Sequence, residues 1–246
     1  MTITIIHPSR SRPEQAYGTM LKWLTSAKDG YGIEYILSVD SDEPQMDKYI
    51  HAANLHNVPT VNLYNIKLLV NDNKSAIEAI NNAAKVSTGD LLLVVSDDFS
   101  CPYHWDAALI EALEGKRDFL VKVDDGAQPW IPTLPIMDRK YYERFGYIYH
   151  PDYVHLFADT EAGHVAHMLG RVIELPIKFP HNHYTTGKVK RDEINVKNDA
   201  TWQQGEKLYL QRLMRNFDLP PEQVLNYGNF DNNHRRWLAS KGITYA

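Results

Sequence analysis

Residues 79–102 read AINNAAKVSTGDLLLVVSDDFSCP. Small and apolar residues at helical spacing run into a Thr88-Gly89-Asp90 stop, then into LLLVV, then into two adjacent carboxylates, Asp97 and Asp98. An unbroken apolar run of this length between turn residues is the pattern of a strand buried on both faces, as in a parallel sheet covered by helices. Like charges at such a strand tip repel unless a cation or hydrogen-bond donors neutralise them. A solvated Asp-Asp turn is one reading. A metal site is the other, because hard Mg²⁺ or Mn²⁺ takes one or two carboxylates and completes its shell with substrate phosphates.

The segments to either side repeat the alternation. ITII (3–6) reads as a strand, and Pro13 to Lys28 as a helix with Ala16, Met20, Trp23, Leu24 and Ala27 on one face, ending at Asp29-Gly30. IEYILSVD (33–40) is a second strand with an acidic turn at 41–44, VPTVNLY (58–64) a short third, and 74–87 a helix. Strands alternating with helices imply an α/β chain whose ligands bind at the carboxyl ends of the strands. Ser9 to Arg12, Asp40/Asp42 and Asp97/Asp98 all lie at such ends.

Beyond residue 102 the pattern loosens. FLVKV (119–123) is a strand followed by the loop Asp124 to Trp130. Helices are expected at 138–145 and 160–169, a strand at RVIEL (171–175), and an amphipathic helix at 200–217. Pro220-Pro221 opens the last element. The polar stretch 180–199 carries the clustered histidines of HNH (181–183).

Composition narrows the function classes. The 246 residues carry a net charge of −5, so no overall field draws the chain to nucleic acid or anionic lipid. One cysteine excludes a disulfide framework and a multi-cysteine zinc site. No apolar stretch approaches the roughly 20 residues of a spanning helix, and the N-terminus reads as a strand rather than a signal peptide. A soluble cytoplasmic protein is expected.

The segment 79–102 resembles the donor-binding core of GT-A-fold glycosyltransferases of the family 2 type, with Ala79, Asn81, Gly89, Asp90, Asp97, Asp98 and Pro102 in register. Ile80, Ala83, Ser87 and Val95 depart from the pattern. Val95 stands where the first Asp of a D-x-D motif belongs, so the motif here is S-D-D. IIHPSRSRPEQA (5–16) looks like the family's first strand and loop, YILSVDSDE (35–43) like its second strand, and 145–170 like its acceptor half. The resemblance covers roughly 1–185. It implies a GT-A domain over 1–198, with a mixed, mostly parallel sheet, a nucleotide-sugar half (1–102) and an acceptor half (103–198), and a helical extension over 199–246.

The resemblance also implies roles. Pro8, Ser9, Arg10, Asp40, Asn81, Ser96, Asp97 and Asp98 would contact a nucleotide-sugar donor, a UDP-sugar first among them. Asp97 and Asp98 would hold a divalent Mn²⁺ or Mg²⁺ together with one late histidine. Histidines at i and i+2 on an extended segment face opposite ways, and His183 is preferred to His181. Lys188 and Arg191 would close over the diphosphate, or form a solvated basic turn. Asp159 would be the general base of an inverting transfer, or a helix cap with Glu161 in the first turn. Asp125, Trp130 and Glu161 are acceptor-side candidates. Trp202, Tyr209 and Trp237 either shape an acceptor pocket or simply pack helices.

The acceptor would be a hydroxyl on a saccharide, small molecule, protein or modified DNA base. Net charge argues against duplex DNA, although Lys188, Lys190, Arg191, Arg212, Arg215, Arg235 and Arg236 would form a local patch. Two other readings use the same residues, a metal-dependent phosphohydrolase and a non-catalytic nucleotide-binding protein.

Overall fold

The apolar run does become a fully buried strand. The computed structural model describes residues 1–28, 32–54, 65–128, 130–187, 189–226 and 232–243. Its strands are β1 (Ile3–Pro8), β2 (Ile33–Asp40), β3 (Asn65–Asn71), β4 (Leu91–Val94), β5 (Leu120–Asp124), β6 (Ile136–Asp138) and β7 (Val172–Lys178). They form one sheet in the order β3-β2-β1-β4-β6-β5-β7. Three-residue β6 runs antiparallel to β4 and β5, and the other pairings are parallel.

The helices are α1 (Pro13–Thr25), α2 (Met46–Asn54), α3 (Ala76–Val86), α4 (Trp105–Leu113), α5 (Arg139–Phe145), α6 (Ala158–Met168), α7 (Glu193–Asp199), α8 (Trp202–Leu213) and α9 (Asn232–Ser240). They cover both faces of the sheet, as continuous apolar strands require. Ile3, Ile5, Leu91 and Leu93 pack with Met20 and Trp23 of α1 and Trp105 and Leu109 of α4. Ile6, Leu92 and Val94 pack on the other face with Ile77 and Ile80 of α3 and Ala166 of α6. Tyr209, Leu213 and Leu238 from the C-terminal helices join that second core. Among the described residues no helix is long and apolar enough to cross a membrane.

The Gly89-Asp90 pair has a packing reason. A Cβ on Gly89 would lie 2.5 Å from the Thr4 backbone nitrogen, so only glycine lets α3 pass this close to β1 on its way into β4. Asp90 then accepts the Thr2 N–H at 2.7 Å and ties the two strand starts together.

β3 is a finding of the structure. Its residues NIKLLVN are half-exposed along an edge, so the run lacks the apolar contrast that marks β4. The strand expected at 58–64 lies outside the described residues. α2, α4, β6 and α7 likewise go beyond the elements expected from sequence.

Candidate active site

A cavity of about 800 Å³ opens beyond the carboxyl ends of β1 and β4, where sheets of this type place their ligands. Pro8 and Arg12 from the loop after β1, Ile77 and Ile80 from α3, and Ser96 and Asp98 from the β4 tip line it. So do Asp159, His155, His181, His183 and Asp199, with Trp130, Trp202 and Trp237 forming an aromatic wall.

The two carboxylates at the β4 tip diverge. Asp97 turns inward, with Oδ1 2.9 Å from His7 Nε2, and Oδ2 accepting from Ser9 Oγ at 3.1 Å. A carboxylate only accepts, so His7 Nε2 carries a proton, while Nδ1 lies 2.6 Å from the Tyr35 hydroxyl. Asp98 faces the cavity. Ser96 Oγ donates to its Oδ1 at 2.5 Å, and His181 Nε2 lies 3.2 Å from its Oδ2.

His181 is fixed by its backbone as well as its ring. It forms a β-bridge with Phe99, donates its N–H to the Asp125 carbonyl at 2.9 Å, and stacks on the Phe99 ring at 4.1 Å. Burial disfavours its charge, but Asp125 and Asp98 on either side overcome that and push its pKa up to about 9. Burial likewise opposes ionisation of Asp98. The hydrogen bonds from His181 and Ser96 outweigh it and hold Asp98 well below the usual carboxylate range. This is a charged pair inside a cleft, the kind of pairing that marks a site.

The imidazole on Asp98 is therefore His181, where His183 was expected. His183 Nδ1 instead pairs with Thr185 Oγ1 at 2.9 Å, at the start of the 3₁₀ turn Tyr184–Thr186. Burial first, and then the charge on His181, lowers the His183 pKa.

Asp159 is the second residue of α6. The N-cap position is held by Phe157, in the left-handed region at φ 72° with no side-chain cap bond, so Asp159 is not the helix cap. Its Oδ1 accepts the Thr160 N–H at 2.8 Å. Burial raises the Asp159 pKa against that bond. Glu161 leaves the cavity altogether. It is buried between Arg212 Nε at 2.8 Å and the Tyr153 hydroxyl at 2.8 Å, as a core ion pair.

The remaining expected residues divide the same way. Asp40 accepts from Arg10 and from Asn73 Nδ2, and Arg10 also forks onto Asp42 at 2.6 and 3.0 Å; none of the three lines the cavity. Asn81 is buried and splices α3 to the loop after α5. Its Oδ1 accepts from Ile148 and Tyr149 N–H, and its amide donates to the Tyr149 carbonyl at 2.7 Å. Asp125 turns inward, accepting Ala127 and Gln128 N–H and the Thr133 hydroxyl, and so shapes the loop that carries Trp130. Arg191 pairs with Asp199 at 2.5 Å and lies over the Tyr184 ring. Lys188 lies outside the described residues.

His155 and Asp199 line the cavity without having been singled out in the sequence, and within the strand-end segment Ser9 to Arg12 it is Arg12, rather than the donor candidate Arg10, that lines it. Arg12 sits two residues from Arg10 in SRSRP, and Ser11 between them adopts a left-handed φ of 58° that turns the two side chains apart.

The donor set for a metal is small. Among the described residues no three His, Cys, Asp or Glu side chains gather into a metal cage. Asp98 and His181 offer one carboxylate and one imidazole. That fits a Mg²⁺ or Mn²⁺ completed by water and phosphate oxygens, which seldom has an all-protein shell, and does not fit a closed structural site.

No protein-family model matches the chain, and no curated protein matches it. Solved structures do. A mannosyltransferase from Pyrobaculum calidifontis, in complex with GDP-Man and Mn²⁺, superposes with a TM-score of 0.60 at 15% identity, over 73% of this chain and 56% of its own. S. aureus TarS 1–349 in complex with UDP-GlcNAc gives a TM-score of 0.55 at 15% identity, over 80% of this chain and 64% of its own. This is the GT-A fold. Val95, expected from the resemblance at the first D-x-D position, is a core residue, 1% exposed, whose N–H bonds the Ile6 carbonyl. The chain spans little more than half the length of these GT-A neighbours.

Proposed function

We propose that the protein transfers a sugar from a nucleotide-sugar donor to an acceptor hydroxyl by a single, inverting displacement. The observation that carries this is one cavity joining the Asp98–His181 pair to Asp159 beneath an aromatic wall. The pair marks the diphosphate end. Asp159 marks the acceptor end, and its raised pKa suits a carboxylate that must take up a proton in the transition state.

Asp98, and His181 once the cation has displaced its proton, would hold a divalent Mn²⁺ or Mg²⁺, which would neutralise charge on the departing diphosphate. Asp159 takes the proton from the acceptor hydroxyl as its oxygen bonds to the anomeric carbon. The carbon–oxygen bond to the diphosphate breaks, and its electron pair leaves with the nucleotide. Trp130, Trp202 and Trp237 offer flat apolar faces for the acceptor ring and displace water from the reacting atoms.

The neighbours carry GDP-Man and UDP-GlcNAc, so uridine and guanosine donors are the two to try first. A non-DNA acceptor is favoured, because three of the seven residues of the expected basic patch are engaged within the protein: Arg212 is buried on Glu161, Arg191 holds Asp199, and Arg215 pairs with Asp218. A phosphohydrolase would need a denser ligand cluster than the described residues provide.

Thermal unfolding in the presence of UDP- and GDP-sugars, with and without Mn²⁺, tests the donor assignment. A rise in melting temperature with one donor class, larger with the metal, is expected. No shift with any donor would favour a different function for the cavity.

A further inference from the structure

We infer that Arg12 is the residue that binds the donor's diphosphate, and that Asp192 holds its guanidinium in reserve for that role. The inference rests on the nucleotide-sugar reading above and adds to it a binding residue and a competitor.

Charge inside the cavity points to Arg12. Its described lining contains three aspartates, Asp98, Asp159 and Asp199, against the His181 imidazolium already paired with Asp98 and one arginine, Arg12, and it holds no lysine. A nucleotide sugar would add two further negative charges at the same end. Burying a diphosphate among carboxylates is unfavourable unless fixed cations face it. Arg191 lies outside that lining, on Asp199 and over the Tyr184 ring. Arg12 lines the same cavity as Asp98, and its Nη1 lies 4.0 Å from Oδ2 of the adjoining Asp97. Its side chain is 16% exposed, so water screens it little.

The guanidinium is currently engaged as it would be by a phosphate. Nε donates to Asp192 Oδ2 at 2.9 Å and Nη2 to Asp192 Oδ1 at 2.6 Å, a two-pronged contact with one anionic group. Arginine makes the same fork with carboxylate and with phosphate. Asp192 is not a passive surface partner. It caps α7, accepting the Asn195 N–H at 2.9 Å while Asn195 Oδ1 accepts the Asp192 N–H at 3.1 Å. α7 in turn contributes Asn195, Asn198 and Asp199 to the cavity. A diphosphate that takes over the Arg12 fork therefore competes with the residue that anchors this wall of the site.

The two partners predict opposite effects, and this makes the inference testable. Arg12→Ala should weaken binding of UDP or GDP roughly tenfold or more, the loss of a forked charge-assisted contact. Arg12→Lys should fall between, since a point charge remains without the fork. Asp192→Asn should tighten binding by about threefold or more. Asparagine still caps α7 as well as aspartate does, but it no longer holds the cation. Titration calorimetry with UDP and GDP in EDTA reads all four proteins without the metal, and thermal unfolding confirms that each is folded.

Wild-type binding that weakens in Arg12→Ala and tightens in Asp192→Asn supports the inference. Wild-type binding with both variants unchanged, or with Asp192→Asn weakened like Arg12→Ala, overturns it while leaving the donor reading intact. Absence of binding by the wild-type chain to either nucleotide, with or without Mn²⁺, overturns both.

Discussion

Asp97 and Asp98 are neighbours in sequence, yet their carboxylates serve different halves of the protein. Asp97 is 7% exposed and bonded to His7 and Ser9 of the first strand and loop, whereas Asp98 reaches the cavity and His181. Replacing each should therefore separate stability from activity. Asp97→Ala leaves the buried His7 N–H and the Ser9 hydroxyl without their acceptor, at a cost of about 1–3 kcal/mol. Asp98→Asn removes the partner of a largely buried His181 and should cost stability as well, but it alone of the two should lower kcat/KM about 100-fold. Urea denaturation and sugar-transfer rates on the same two proteins check this. Equal losses of kcat/KM would show that the division of labour is not real.

Asp159 couples stability to activity with the opposite sign. Burial raises its pKa, so between the unfolded and folded values the folded state binds more protons, and its contribution falls as pH rises through the folded pKa. Asp159→Asn should therefore melt at a higher temperature than wild type at neutral pH. The same change should lower turnover about 10²- to 10⁴-fold, the usual worth of a general base. In the wild type kcat/KM should rise with pH through an acid limb above the ordinary aspartate range, and the variant's residual rate should lack it.

Much of this site was legible in the sequence, and the residues show where legibility ends. LLLVV announced a buried strand because all its positions are apolar, and the strand end placed Asp98 at the correct edge of the sheet. Which of two adjacent aspartates faces the cavity depends on how the chain turns after Val95, and which of His181 and His183 meets Asp98 depends on a β-bridge to Phe99. Neither leaves a trace in composition. Arg10 and Arg12 are equivalent in the string SRSRP, and only the left-handed Ser11 tells them apart. Glu161 looks like a cavity residue until Arg212, 51 positions later, folds back onto it. Contacts of that range are invisible to local pattern.

Stability should also fall on mild acidification. His155, His164 and His167 are kept from charging chiefly by burial, with the His155 pKa pushed down to about 4. The unfolded chain therefore binds more protons than the folded one below about pH 6.5, and stability drops as pH falls through that region. His181 works the other way, but its stabilisation is fully present below the unfolded value and is lost only as pH rises toward 9. The melting temperature should decline between pH 7 and 5. A profile flat over that range would mean that these histidines are not buried as described.

Gly205 sets how closely α8 approaches the loop before α6, and hence where Trp202 stands in the aromatic wall. A Cβ at position 205 would lie 2.3 Å from the Leu156 carbonyl oxygen, a backbone atom that cannot swing aside. Alanine in a helix interior normally gains about 1 kcal/mol over glycine, but overpacking against fixed atoms costs about 1–3 kcal/mol. Gly205→Ala should therefore lose stability on balance and raise the acceptor KM by shifting Trp202. Gly18, inside α1, is the control: a Cβ added there would meet no atom within 4 Å, and Gly18→Ala should gain about 0.5–1 kcal/mol. Urea midpoints of the two variants should move in opposite directions from wild type, and a shared direction would mean that helix propensity rather than the Leu156 contact governs position 205.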